Sequence, residues 1–148
     1  MALTMSETIG TRAPTWFRVV AALALLWNLF GMWQYLSYVG VVPLLGEMNA
    51  AEAAILERAP VWYTAAFAIA VFAGVVGALG LVLRRAWSRP LLVLSLIAAI
   101  IQFTSWCFMS GGAEAIGPSF YVAPAVVILV AILLVWLASV GVKRRWLI

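Results

Sequence analysis

The sequence predicts an all-α membrane protein: a four-transmembrane-helix bundle with a short amphipathic outer segment between helices 1 and 2. The first observation is composition, since 67% of the residues are hydrophobic and only 9% are charged, against about a quarter charged residues in soluble domains. The second is the spacing of the charges, which leave four uncharged stretches at 19–46, 59–83, 90–113 and 115–142. Each is longer than the ~20 residues that a helix needs to cross the hydrocarbon core of a bilayer.

The four spans are expected within one transmembrane domain that comprises residues 1–148, at about 16–42, 60–83, 90–109 and 120–142. Pro43 closes the first span, and Pro60 suits the first turn of the second. Pro124 falls in the first turns of the fourth span, where a missing backbone donor costs least. The first span is expected to be a retained membrane helix, because its apolar run far exceeds the roughly 7–15 residues of a signal peptide.

Residues 44–59 form the outer segment, which is too polar to be a span. Asn49 followed by Glu52 has the spacing of a capping box. Apolar residues then repeat at three- and four-residue steps, at Leu44, Met48, Ala51 and Ile55. This pattern predicts a short amphipathic helix on the outer membrane surface, and a plain acidic connector is the alternative.

Basic residues predict the orientation, because they remain on the cytoplasmic side of a membrane. Except for Arg58, they lie before the first span, between the second and third, or after the fourth. Both termini are therefore expected to be cytoplasmic. Six side chains at these helix ends are expected to meet anionic lipids: Arg84, Arg85, Arg89, Lys143, Arg144 and Arg145. Topology thus explains the net charge of +4, and no nucleic-acid partner is predicted.

The absence of histidine and the single cysteine, Cys107, leave little chemistry for an active site. Haem, zinc and iron–sulfur centres use histidine and cysteine ligands, and thiol redox enzymes need a cysteine pair. No predicted span carries a charged residue at its centre, where proton relays usually place one. The sequence therefore predicts a non-enzymatic protein without a cofactor or metal.

Two amides lie deep in the predicted spans. Asn28 follows Arg18 and Gln102 follows Pro90 at distances that place both side chains ~15–18 Å into the bilayer at helical rise. An unpaired amide in hydrocarbon costs several kcal/mol. Asn28 and Gln102 are therefore predicted to hydrogen-bond between the first and third spans, contributing about 1 kcal/mol.

Ala70, Gly74 and Gly77 share one face of the second span. Small residues at this spacing let two helix backbones approach closely. The second span is therefore predicted to be a packing helix, either inside the bundle or against a partner protein.

Aromatic residues are concentrated toward the outer ends of the spans. An interfacial belt of tryptophan and tyrosine is one interpretation. The other is a cavity open to the outside, because apolar walls with a few convergent polar groups are typical of ligand pockets. The predicted lining is Gln34, Tyr35, Tyr38 and Trp106, with Glu47 or Glu114 at the mouth.

Two stretches, WNLFGMWQYL and PVWYTAAFAIAVFAGVVGALGLVLRRAWSRPLLVLSLIA, carry a recognisable pattern. Its residues are Trp27, Asn28, Gly31, Tyr35, Pro60, Trp62, Ala70, Gly74, Gly77, Arg84, Arg85, Trp87, Pro90 and Leu91. The pattern resembles a group of small bacterial four-helix membrane proteins that commonly carry the label "sugar transporter". The resemblance covers about residues 16–105 and implies the same architecture in a bacterial inner membrane.

Two functions are compatible with these features. The first is a non-enzymatic inner-membrane protein that acts through helix packing, as a homo-oligomer or an accessory subunit of a larger membrane complex. It is favoured by uncharged spans and by the lack of a broken helix of the kind that carriers often use. The alternative is a component of a small-solute transporter, for sugars on the resemblance, with an outward-facing aromatic pocket.

Overall fold

The computed structural model describes residues 11–43, 48, 50–108, 114 and 117–148. Within them the helices are α1 (Thr15–Tyr38), α2 (Ala50–Glu57), α3 (Val61–Val82), α4 (Ser88–Phe108), a 3₁₀ helix (Pro118–Tyr121) and α5 (Val122–Lys143). The four long helices are long and apolar enough to cross a membrane, and the described residues contain no strand. The predicted all-α fold with four candidate spans is confirmed.

Helix α1 ends four residues before the predicted boundary. Gly40 has a φ of 82°, and the Val41 N–H donates to the Leu36 carbonyl at 2.8 Å. A glycine in the left-handed region with this hydrogen bond is a common way to end a helix. Pro43, the predicted boundary, instead accepts hydrogen bonds at its carbonyl from Trp33 Nε1 and Ser37 Oγ, which fold the chain back onto α1.

The segment between α1 and α3 contains the predicted short helix, α2, so the plain-connector interpretation is wrong. Its predicted start at Asn49 lies outside the described residues, as does Leu44. None of the α2 residues is fully buried. The helix therefore lies at the surface of the described bundle.

Helix α3 is the central helix of the bundle. Half of the residues in its most apolar stretch are buried, compared with 11% in the corresponding stretch of α1. It packs against both α1 and α4, and α4 packs in turn against α5. The helices are thus arranged in the order α1, α3, α4, α5, which leaves α1 and α5 as the two outer members.

Both described chain ends and the α3–α4 turn meet at one end of the bundle, which we call the basic end. A cluster of buried apolar residues fills this end, drawn from all four long helices and from the segments before α1 and after α5: Ala13, Phe17, Ala21, Ala24, Ala78, Leu81, Leu92, Leu134, Leu137, Ala138 and Leu147. Phe17 and Ala138 are 0% exposed. We call the opposite end, with α2 and the 3₁₀ helix, the mouth end.

Arg84 fastens the basic end together. Its guanidinium donates from Nε to the Trp146 carbonyl at 2.9 Å and from Nη2 to the Thr11 carbonyl at 2.7 Å. The Ile148 N–H donates to the Arg84 carbonyl at 2.8 Å. Arg84 was expected to meet anionic lipid, and two of its guanidinium nitrogens instead donate to carbonyls of the protein. The other five basic residues in that set are exposed.

Candidate functional site

A cavity of about 800 Å³ lies among the four long helices and extends toward the mouth end. Its volume falls within the range of pockets that hold a small organic molecule. The described residues that line it come from α1, α3, α4 and α5, and also from α2 and the 3₁₀ helix. The cavity is therefore a property of the whole bundle rather than of one helix pair.

The cavity has one polar wall and one apolar wall. The polar side chains that the long helices contribute come from α1, α3 and α4: Asn28, Gln34, Tyr38, Tyr63, Ser95 and Gln102. The residues from α5 are all apolar: Val122, Ala123, Pro124, Val126, Val127, Val130, Ala131 and Leu134. Among the four long helices, a molecule in this cavity would find hydrogen-bonding side chains on α1, α3 and α4 but none on α5, and Glu52 and Ser119 add polar groups at the mouth end.

Asn28 and Ser95 form the deep part of the polar wall. Asn28 Nδ2 donates to the Ala24 carbonyl on its own helix at 2.8 Å. Ser95 Oγ donates to the Ala70 carbonyl on α3 at 2.6 Å. A Cβ at Gly74 would overlap Asn28 Oδ1 and lie 3.0 Å from Ser95 Oγ. Gly74 therefore provides the space in which these two polar side chains sit side by side.

The small-residue face of α3 packs inside the bundle. Ala70 is buried with Ala98 and Ala99 of α4. A Cβ at Gly77 would lie 2.8 Å from Leu92 Cγ, also on α4. Ala70, Gly74 and Gly77 were expected to pack either inside the bundle or against a partner protein. The structure shows them in contact with neighbouring helices of the same chain.

Gln102 is almost fully buried at 3% exposure, and its Nε2 donates to Tyr63 Oη at 3.4 Å. The predicted hydrogen bond between Asn28 and Gln102 needs correction, since each amide bonds elsewhere. The physical reason is helix order: α1 and α4 each pack against α3, and Asn28 satisfies one donor on its own helix, as short polar side chains often do. Both amides border the cavity instead.

Aromatic rings surround the cavity at the mouth end. Tyr38 and Tyr63 lie edge to face with centroids 6.2 Å apart, and Tyr38 Oη is 3.1 Å from Thr64 Oγ1. Across the cavity lining, Trp106 stacks on Phe120 with centroids 5.0 Å apart and planes at 19°. These contacts hold the rings in place around the lining.

Three of the four predicted pocket residues, Gln34, Tyr38 and Trp106, line this cavity. Tyr35 does not. Its ring packs edge to face on Phe67 and Phe72 of α3, so Tyr35 belongs to the α1–α3 contact. The prediction for Tyr35 is corrected because neighbouring residues on a helix point about 100° apart, so Gln34 and Tyr35 face different surroundings.

Of the described acidic residues, Glu52 lines the cavity, and it was not one of the two predicted at the mouth. Glu47 lies outside the described residues, and Glu114 is exposed and does not line the cavity. Glu52 and Leu56 of α2 line the cavity, together with Met48, which precedes the helix. The four-residue steps from Met48 to Glu52 and Leu56 are visible in the sequence. The apolar pattern nevertheless led us to assign Ala51 and Ile55, with Met48, to the apolar face of this segment.

We infer a sideways opening of the cavity between α1 and α5, because these two helices make little contact with each other and both place exposed side chains at the cavity. Trp27 and Phe30 on α1 line it and are 38% and 50% exposed. Val122 and Val126 on α5 line it and are 59% and 42% exposed. Side chains that border both the cavity and the outer surface mark a gap with apolar edges.

Within the described residues no group of three or more histidine, cysteine or acidic side chains could hold a metal ion. Comparison with known proteins gives no further assignment: no protein-family model, curated protein or solved structure matches this chain.

Proposed function

We propose that this protein is a component of a small-solute carrier in the bacterial inner membrane and that it binds its solute in the cavity among α1, α3, α4 and α5. The observation that carries the proposal is the cavity of about 800 Å³ with a polar wall. Helices in a bilayer associate largely through close packing. The helices that surround a void of this size lose packing contacts with one another. A bound solute would replace those contacts.

The polar groups on the wall support the same proposal. Asn28 uses its amide nitrogen within α1, and its Oδ1 lies in the space beside Gly74. Gln34 is exposed and also borders the cavity. Hydrogen-bonding groups at membrane depth are costly without partners, so a solute with polar atoms would be stabilised here.

The charge distribution supports the orientation that we propose. The described basic residues other than Arg58 lie in or next to the basic end. By the positive-inside tendency, this end is cytoplasmic and the mouth end faces the periplasm. The resemblance to bacterial proteins labelled "sugar transporter" supports the inner membrane and a transport role, which is non-enzymatic.

The proposal is tested by filling the cavity. Ala131 lines it, whereas its neighbour Ile132 is 48% exposed and does not. The Ala131→Trp and Ile132→Trp variants would be reconstituted in lipid nanodiscs, and the binding of a panel of small solutes, including sugars, would be measured by equilibrium dialysis. We expect Ala131→Trp to weaken binding by about 10-fold or more, equivalent to at least ~1.4 kcal/mol, and Ile132→Trp to leave it unchanged. Equal binding by both variants, or none by the parent protein, would refute the cavity as a solute site.

A second candidate is the packing function, as a homo-oligomer or an accessory subunit of a larger membrane complex. It is favoured by the outer face of α1, where Val19, Leu23 and Leu26 are 53%, 59% and 63% exposed. Another protein could cover this face as well as lipid could. Native mass spectrometry of the complex purified in mild detergent tests it, and a monomer without stoichiometric partners would exclude it.

A further inference from the structure

We propose that the cavity selects an amphipathic organic cation, which it admits from the bilayer through the gap between α1 and α5. This inference rests on the proposed function, because it names the class of solute for the same cavity. It is carried by three independent features: a carboxylate, a set of aromatic rings, and a sideways opening with apolar edges.

Glu52 supplies a negative charge to the site. Of the described residues that line the cavity, it alone carries a charge, and it is half-buried. Arg58, the basic residue nearest in sequence, is exposed and does not line the cavity. A carboxylate partly withdrawn from water favours a cation nearby, because its attraction is less screened than at an open surface.

Aromatic rings line the same end of the cavity. Tyr38 is the last residue of α1, Tyr63 lies in the first turn of α3, and Trp106 lies in the last turn of α4. Phe120 stacks on Trp106 from the 3₁₀ helix. The faces of such rings attract organic cations, above all when water is excluded. A carboxylate and several rings at one end of a cavity therefore favour a positively charged group there.

The rest of the cavity suits an apolar body. The α5 wall offers no polar side chain, and the deep end reaches Leu92 and Leu134. The gap between α1 and α5 is edged by Trp27, Phe30, Val122 and Val126, on helix faces that meet lipid if the spans are inserted. A molecule dissolved in the bilayer, with its charge near the interface, can reach the cavity by this route. A sugar would leave most of its hydroxyl groups against the apolar α5 wall.

The test compares ions of one shape and opposite charge. Protein in phosphatidylcholine nanodiscs would be equilibrated with tetraphenylphosphonium or tetraphenylborate, and binding to empty nanodiscs would be subtracted. Triphenylphosphine oxide serves as the neutral aromatic probe and methyl glucoside as the sugar. We expect tetraphenylphosphonium to bind about 10-fold or more tightly than the other three, equivalent to at least ~1.4 kcal/mol. This comparison needs no variant.

Two variants then assign the charge selectivity to Glu52. Glu52→Gln is expected to weaken phosphonium binding by about 10-fold while leaving triphenylphosphine oxide unchanged. Glu57→Gln is the matched control, since Glu57 is exposed on the same helix and does not line the cavity. Retention of parental affinity by Glu57→Gln and its loss in Glu52→Gln would support the proposal.

The outcomes separate this inference from the proposed function. If the phosphonium and the neutral compound bind equally, and Ala131→Trp blocks both, the cation preference is refuted and the solute site stands. If only the sugar binds, and Ala131→Trp blocks it, the cation preference is likewise refuted and the solute site stands. If no probe binds above the empty nanodisc, the cation proposal is refuted, and the solute panel then decides the proposed function.

Discussion

The two ends of the bundle are built differently. At the basic end, α1 contributes three buried side chains, Phe17, Ala21 and Ala24, and the C-terminal segment adds Leu147 to the same core. Beyond Ala24 the only other buried residue of α1 is Ser37, in its last turn. The middle and mouth end of α1 therefore border a cavity rather than a packed core.

The outer helices, α1 and α5, show what this difference means. Phe17 of α1 meets Gly141 of α5 at the basic end, where a Cβ on the glycine would lie 3.2 Å from Phe17 Cζ. Toward the mouth end, both helices line the cavity. A closed and fastened end can hold two helices in position while the opposite end accommodates a molecule. Stability and binding are thus expected to depend on different halves of the same helices.

The largest expected effect comes from Phe17→Ala, compared with Phe30→Ala on the same helix. Phe17 is 0% exposed and its ring packs against Trp146 at 5.3 Å, whereas Phe30 is 50% exposed. Removing a buried phenylalanine ring leaves a cavity and costs about 3–5 kcal/mol. Phe30→Ala is expected to cost less than about 1 kcal/mol, as at most exposed sites.

Unfolding by sodium dodecyl sulfate in mixed micelles, followed by circular dichroism, gives the free energy of unfolding for both variants. Solute binding is the second measurement. We expect Phe30→Ala to change it more than Phe17→Ala does, because Phe30 borders the cavity and Phe17 does not. Equal losses of stability in the two variants would show that α1 is packed alike along its length, contrary to the comparison.

A medium effect is expected from the two glycines of α3. In Gly77→Ala, the new Cβ would lie 2.8 Å from Leu92 Cγ and 3.2 Å from the Leu92 backbone nitrogen. The α3 and α4 backbones must then separate, and overpacking of this kind costs about 1–3 kcal/mol. In Gly74→Ala, the Cβ would overlap the end of the Asn28 side chain, which can rotate into the cavity, so we expect a cost below about 1 kcal/mol.

The same micelle titration ranks the two glycine variants. Displacement of Asn28 by Gly74→Ala should also weaken solute binding, whereas Gly77 does not line the cavity. If Gly74→Ala is the more destabilising variant, the space around Asn28 is rigid and the mouth half is more tightly packed than we infer.

Much of the fold could be predicted from the sequence, because a bilayer requires long uncharged helices and their charged boundaries are visible in the chain. Helix α3 begins and ends within one residue of its predicted limits. The end of α1 was misplaced because Pro43 was favoured over Gly40 as the terminator. Turn chemistry at a glycine depends on its φ, which the sequence does not determine.

The site was less accessible to sequence reasoning. The depth of a residue follows from helical rise, and Asn28 and Gln102 do both line one cavity. Which helices are neighbours does not follow from depth, so their mutual hydrogen bond was predicted and is not formed. Glu52 was assigned to a capping box, whereas its contribution to the cavity depends on how α2 lies against the bundle. The bonds of Arg84 to Thr11 and Trp146 join segments far apart in the chain and have no local signal.

Gln102→Leu, at the mouth end, is expected to affect stability less than Phe17→Ala or Gly77→Ala. Gln102 is nearly as buried as Phe17, yet its hydrogen bond to Tyr63 Oη is long, at 3.4 Å. Interhelical hydrogen bonds in membranes average only about 0.6 kcal/mol, and leucine keeps the apolar contacts. We therefore expect a change in unfolding free energy below about 1 kcal/mol, together with weaker binding of solutes that hydrogen-bond to the amide. A loss as large as that of Phe17→Ala would mean that Gln102 holds the helices together rather than facing a ligand.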